Sequence, residues 1–147
     1  MSNEGRIDGV YIFRLREGTD LLGEILRVAG EEGIGSGVLM VIGRLSGARF
    51  GFYLGAEEGY KVEEVEVPVE LLSCVGNIAL KDGEPAVHAH VVLGDEEGQI
   101  YGGHLMEGCT VSPTVELHIL KIGGLSLTRH FDARTGLTLL SAKPTEE

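Results

Sequence analysis

The sequence predicts an α+β (mixed α/β) fold, a largely antiparallel sheet with one main N-terminal helix packed on it. Three observations lead there. A single segment, after residue 19, carries apolar residues at helical spacing. Most of the remaining chain falls into apolar or alternating runs separated by glycine-rich turns, with 23 Gly against 4 Pro. Helical patterns between those runs, which a doubly wound parallel sheet requires, are missing.

Val10 to Leu15 reads as the first strand. Thr19 or Asp20 caps the helix, whose apolar face is Leu21, Leu22, Ile25, Leu26, Val28 and Ala29, and Gly33 stops it. Val38 to Ile42 and Ala48 to Leu54 are apolar strands with a loop over 43–47. Tyr60 to Val67 alternates polar and apolar residues, the mark of a half-exposed strand. Leu71 to Leu80 and Ala86 to Leu93 form a hairpin through Lys81-Asp82-Gly83-Glu84-Pro85. Gly94-Asp95-Glu96-Glu97-Gly98 makes the next turn. Gln99 to Tyr101 then starts a strand that Gly102-Gly103 interrupts. Val115 to Ile122 is a late strand, and the tail from Lys143 onward reads as loose. No repeat, linker or composition shift divides the 147 residues, which read as one domain with its core over about 7–140.

Hydrophobic residues make up 43% and charged residues 24%, an ordinary globular balance. Twelve basic residues face 23 acidic ones, a net charge of −11. Phosphate backbones are anionic too, and no Lys/Arg cluster offsets the repulsion, so direct nucleic-acid binding is not expected. Cys74 and Cys109 sit in apolar surroundings without metal-ligand spacing and read as buried thiols. The polar, acidic start lacks a signal-peptide pattern, and no apolar run approaches the ~20 residues of a membrane span. The expectation is a cytoplasmic protein with no membrane partner.

Val87-His88-Ala89-His90-Val91 is the most informative stretch. Side chains alternate on a strand, so His88 and His90 share one face and can converge on one cation. The turn at 94–98 folds Gly102-Gly103-His104-Leu105 back beside them, with His104 expected opposite the start of the strand, near His88. The two glycines leave room for close approach. Three neutral imidazoles suit Zn²⁺ first, then Ni²⁺, Fe²⁺ or Mn²⁺, and leave a coordination position open for water or substrate. The competing account is a set of structural histidines with ordinary hydrogen bonds. A cupin-like site would add Asp95 as a carboxylate ligand, but Asp95 falls inside a turn and the preceding glycine spacing is off.

Other residues read as structural. His118 alternates with Glu116 on a strand and pairs with it, and His130 is a surface residue. Gly33-Ile34-Gly35-Ser36-Gly37 lacks a phosphate-loop lysine, and neither Ser73 nor Ser112 sits in a nucleophile elbow. Arg44 and Arg49 pair with surface carboxylates rather than with an anionic ligand.

The order of these motifs resembles the plants-and-prokaryotes conserved (PPC) domain family. The matching stretches are Val69 to Ile78, His88-Ala89-His90-Val91-Val92-Leu93-Gly94, and Gly98 to Leu105, together with the early strand and the Asp20-anchored helix. The resemblance covers most of residues 7–140. It implies a compact α/β fold with a largely antiparallel sheet, a homotrimer, and metal binding at His88, His90 and His104. Plant members accompany AT-hook segments, and prokaryotic members carry a predicted DNA-binding label. The Arg-Gly-Arg-Pro core of an AT-hook is absent here.

The leading expectation is a stand-alone trimeric metal-binding protein with a three-histidine site. A metal-dependent hydrolytic enzyme is the first alternative, since an open Zn²⁺ position lowers the pKa of bound water toward about 7. Glu107, close to His104 in sequence, is its candidate general base. The second alternative is a transcription-associated module acting through protein contacts. The sequence points to no particular small-molecule ligand.

Overall fold

The helix is specified at both ends. In the computed structural model, which describes residues 3–146, α1 spans Leu21–Glu31. Asp20 caps it, accepting a hydrogen bond at Oδ2 from the Gly23 N–H (2.9 Å). At the other end Gly33 takes a left-handed φ of +63°. The Gly33 and Ile34 N–H groups donate back to Gly30 and Ala29, the Schellman arrangement that only glycine enters without strain. Leu21, Ile25, Val28 and Ala29 are buried, the apolar face expected from their spacing.

The rest is strand: β1 (Arg6–Leu15), β2 (Gly37–Gly55), β3 (Gly59–Val65), β4 (Val69–Lys81), β5 (Glu84–Gly94), β6 (Ile100–Leu105), β7 (Thr110–Gly123), β8 (Leu125–Asp132) and β9 (Leu137–Pro144). All nine belong to one sheet in the order β1-β7-β2-β6-β5-β4-β8-β9, with β3 paired to β2. Every pairing is antiparallel except the brief β4–β8 contact at Leu80 and Thr128. β2 is long enough to serve twice. Its first part lies between β7 and β4, and its later part pairs with β3 and touches β6 at Phe50 and Gly51. Strands β2, β4, β5 and β6 therefore close on themselves.

One face of the sheet is covered by α1, chiefly over β5 and β7. Leu39, Val41, Cys74, Ala89, Val91, Leu117 and Ile119 point that way and are buried. Truncating such a residue, Ile119→Ala for example, removes transfer energy and leaves a cavity, about 2–5 kcal/mol in all. Cys74 and Cys109 are free and buried, and burial pushes the Cys74 thiol up to about 12. On the opposite face Val10, Ile12, Met40, Ile42 and Val75 remain exposed.

Three expectations change. Gly102-Gly103 does not interrupt its strand, because β6 runs through both glycines, which pair with Val92 and Val91 of β5. Residues 43–47 form no loop, because β2 runs through them with register shifts between Val41 and Gly43, Gly43 and Leu45, and Leu45 and Gly47. Gly43 permits this, since a Cβ there would meet Val115 Cα and Thr114 O at 2.6 Å. The strand bends where a break was expected. The tail is not loose at Lys143, because β9 pairs with β8 through Pro144 and Lys143 sits opposite Ser126.

Candidate metal centre

The β4–β5 hairpin sets the first two histidines. Its register places Asn77 opposite His88 and Val75 opposite His90. Both histidines lie on the face away from the helix, while Ala89 and Val91 beside them are buried beneath it. Asp95 makes the following turn. Its Oδ1 accepts from the Glu97 and Gln99 N–H groups and its Oδ2 from the Tyr101 hydroxyl, all at 2.9 Å. These bonds, that from Gln99 first, hold its carboxyl below the usual range. Asp95 is thus occupied as a turn former and lies outside the histidine cluster, contrary to the cupin alternative.

The turn returns β6 so that His104 pairs with His90, and not with the start of β5 as expected. The side chains nevertheless bring His104 nearer to His88. Ring centroids stand 5.0 Å apart for His88 and His104, 5.1 Å for His88 and His90, and 6.0 Å for His90 and His104. Glycine makes room for this. A Cβ on Gly103 would sit 2.6 Å from the Gly51 carbonyl oxygen, and one on Gly76 would sit 2.1 Å from that of His88. Beyond His104 the chain is pinned by the same aspartate that caps the helix, since Asp20 Oδ1 accepts from Gly108 N–H (2.8 Å) and Cys109 N–H (3.2 Å).

One potential ligand atom from each of His88, His90 and His104 lies within 4.8 Å of the others. Ligands about 2.0–2.1 Å from a tetrahedral Zn²⁺ stand roughly 3.4 Å apart, so modest side-chain rotation closes the set. His104 is pushed down to about 4, first by burial, then by His88, His90 and Arg129. His88 is lowered by burial, then by Arg129 and His90. Both rings are therefore held in the neutral form that ligation needs.

His88 and His104, but not His90, border a cleft of about 560 Å³. Tyr60, Asn77, Lys81, His88, His104 and Arg129 supply its polar groups. The Tyr60 ring lies 4.9 Å from that of His104, tilted by 44°. Arg129, from β8, donates to Asn77 Oδ1 (2.7 Å) and to the Thr138 carbonyl (3.1 Å). Sequence reasoning missed Tyr60, Asn77 and Arg129, which stand far from the histidines along the chain. The hydrophilic Asn77 inside the apolar β4 run was the one visible signal.

The remaining candidates lie elsewhere. Glu107 is exposed and does not line the cleft, and its backbone carbonyl accepts a long 3.5 Å contact from Arg49. His118 Nδ1 sits 3.3 Å from the Met40 carbonyl oxygen, in place of the expected pairing with Glu116. His130 Nε2 is 3.0 Å from Thr128 Oγ1. Arg49 pairs with Glu64 (3.0 Å), as expected, whereas Arg44 donates to the Ser112 carbonyl (2.9 Å).

The chain is similar to known proteins along most of its length. The family described as the Plants and Prokaryotes Conserved (PCC) domain matches residues 2–123. A metal-containing protein from Archaeoglobus fulgidus superposes with a TM-score of 0.85 at 34% identity, over 92% of this chain and 95% of that one. A plant- and prokaryote-conserved protein from Pyrococcus horikoshii gives 0.85 at 36% identity, over 95% and 96%. A Ralstonia eutropha protein named for a proposed DNA-binding role gives 0.81 at 31%, over 89% and 90%. Among curated proteins, the bifunctional protein GlmU of a Synechococcus strain is 32% identical over 136 residues, 92% of this chain. The chain spans only 20% of that relative's length.

Proposed function

The chain belongs to the Plants and Prokaryotes Conserved domain family, and from that premise we propose that it is a metal-binding member whose His88, His90 and His104 hold one divalent cation, with Zn²⁺ the first candidate. The observation that carries this reading is the convergence of the three imidazoles from two adjacent strands. Burial that disfavours protonation of His88 and His104 supports it. So does the donor set, three imidazole nitrogens with no carboxylate in the cluster among the described residues. The metal-containing relative from Archaeoglobus fulgidus adds to it. Such a cation supplies Lewis acidity and an open coordination position. The chain's own contribution is to hold His88 and His104 neutral and to flank the cluster with Tyr60 and Arg129.

The same reading takes the protein as a homotrimer. The bare face of the sheet presents Val10, Ile12 and Val75 at 61%, 67% and 54% exposure, an apolar stripe suited to burial against further copies of the chain. Direct DNA binding, suggested by the Ralstonia eutropha relative, has the net charge of −11 against it.

Elemental analysis of protein purified without chelator or affinity tag is the test, with one equivalent of divalent metal per chain expected. Protein that neither carries metal nor takes it up from micromolar Zn²⁺ overturns the reading. Light scattering tests the trimer, and a monomer mass at micromolar concentration removes it.

A further inference from the structure

The cleft beside the histidines has the wrong charge for this protein. The chain carries 23 acidic and 12 basic residues, yet among the described residues no Asp or Glu lines the cleft, while Lys81 and Arg129 both do. Arg129 is the more telling of the two. It is partly buried, and its two Nη groups are held by neutral acceptors, the Asn77 side chain and the Thr138 carbonyl. Its Nε is buried and without a hydrogen-bond partner. Among the described residues no carboxylate forms an ion pair with it; Arg14, Arg16 and Arg44 lack one too, but none of them lines this cleft beside the histidines. Partly burying a guanidinium without a counter-charge is costly, and an anion in the cleft offsets that cost.

Resting on the metal-site reading above, we propose that this cleft binds a small organic anion, its oxyanion head between Arg129 and the histidine cluster and its short apolar body against the wall formed by Leu137, Leu139 and Leu140. The leucines come from β9, whose hairpin with β8 also carries Arg129, so one element supplies both the charge and the apolar wall. The volume of about 560 Å³ suits a small metabolite. Burial pulls Arg129 below its ordinary value, the direction expected of a cation that lacks a partner. A divalent cation at the histidines adds positive charge to the same cleft and strengthens the attraction.

The test is an NMR titration of the full chain, metal-free and Zn²⁺-loaded, with butyrate, its neutral isostere butyramide, and inorganic phosphate. Butyrate is expected to shift amide signals of β5, β8 and β9 in both forms and to bind more tightly with Zn²⁺ present. Arg129→Gln should weaken it about 10-fold or more, the scale of a lost charge-assisted hydrogen bond. Arg129→Lys, which keeps the charge, should retain part of the binding and guards against misfolding of the first variant. Lys81→Met, at an exposed hairpin end, should cost less. Butyramide binding as tightly as butyrate, or butyrate binding unchanged in Arg129→Gln, overturns the proposal. Phosphate binding more tightly than butyrate overturns the apolar half of it. Butyrate binding through Arg129 in a protein that takes up no Zn²⁺ sinks the metal reading alone, and Zn²⁺ uptake without butyrate binding sinks this one alone.

Discussion

One row of paired residues crosses the bare face of the sheet, Ile12–His118–Met40–Val75–His90–His104, and its two ends behave differently. A histidine occupies each end region, on the same face and in the same kind of antiparallel ladder. At the β7 end His118 has Ile12 and Met40 for neighbours, and its ring turns to a backbone carbonyl. At the β5–β6 end His90 faces His104 directly, and His88 lies two residues along the same strand. Strand alternation alone makes neither into a site. What distinguishes the second end is glycine, at Gly76 and Gly103, which lets three backbones close in around the imidazoles.

The sharpest way to break this comparison is by ligand removal. His88→Ala, His90→Ala and His104→Ala should each lose more metal affinity than the ~10–100-fold typical of an outer-shell change. His118→Ala and His130→Ala should keep the wild-type metal content. Elemental analysis of all five variants decides it, and equal metal throughout would erase the distinction between the two ends.

A second intervention leaves every ligand in place. Gly103→Val puts a branched side chain where even a Cβ stands 2.6 Å from the Gly51 carbonyl. β6 must move away from β2, carrying His104 with it. The expected cost is about 1–3 kcal/mol of stability, together with weakened metal binding, read by denaturant melts and metal titration. Wild-type affinity in a folded Gly103→Val protein would show that close approach does not set the site.

Much of this contrast was legible in the sequence. Alternation in His88-Ala89-His90 fixes a shared face, and Asp20, Gly33 and the apolar spacing between them specify the helix. The error in placing His104, which pairs with His90 and not nearer the start of the strand by His88, arose because turn residues 94–98 mark a reversal without fixing its register, which depends on Asp95 gathering the Glu97, Gln99 and Tyr101 donors. Residues 43–47 misled for a related reason. Glycine and polar residues signal a break locally, whereas pairing with β4 and β7 on both sides carries the strand through. Arg129 and Tyr60 were out of reach, since only the sheet order brings β8 and β3 to the histidines.

Acid should separate the ends more gently. His104 is pushed down to about 4 in the folded protein and returns to about 6.5 on unfolding. The unfolded state therefore binds the proton first as pH falls. Stability of the metal-free protein is full above about 6.5 and declines as pH drops toward 4, then levels off. His88 is lowered too and acts in the same direction. His104→Ala should flatten this dependence in melts across that window, and an unchanged slope would contradict the assignment.

The smallest effect belongs to His118→Ala in the metal-free protein. The ring gives up one 3.3 Å contact to the Met40 carbonyl oxygen, at a site only partly buried and open to water. Water can replace that partner, so the net change should fall within about 0.5–1 kcal/mol. His118→Glu asks more of the same position. It sets a carboxylate beside Ile12 and Met40, in the middle of the stripe proposed to be covered by other copies of the chain. A charge buried there without a partner should drive the assembly toward monomers, while leaving the helix-covered face and the histidine cluster intact. Light scattering on the two variants reads this directly. A lower mass for His118→Glu with unchanged metal content would place the two functions at opposite ends of one row. An unchanged mass would mean that the β7 end of the bare face stays in solvent.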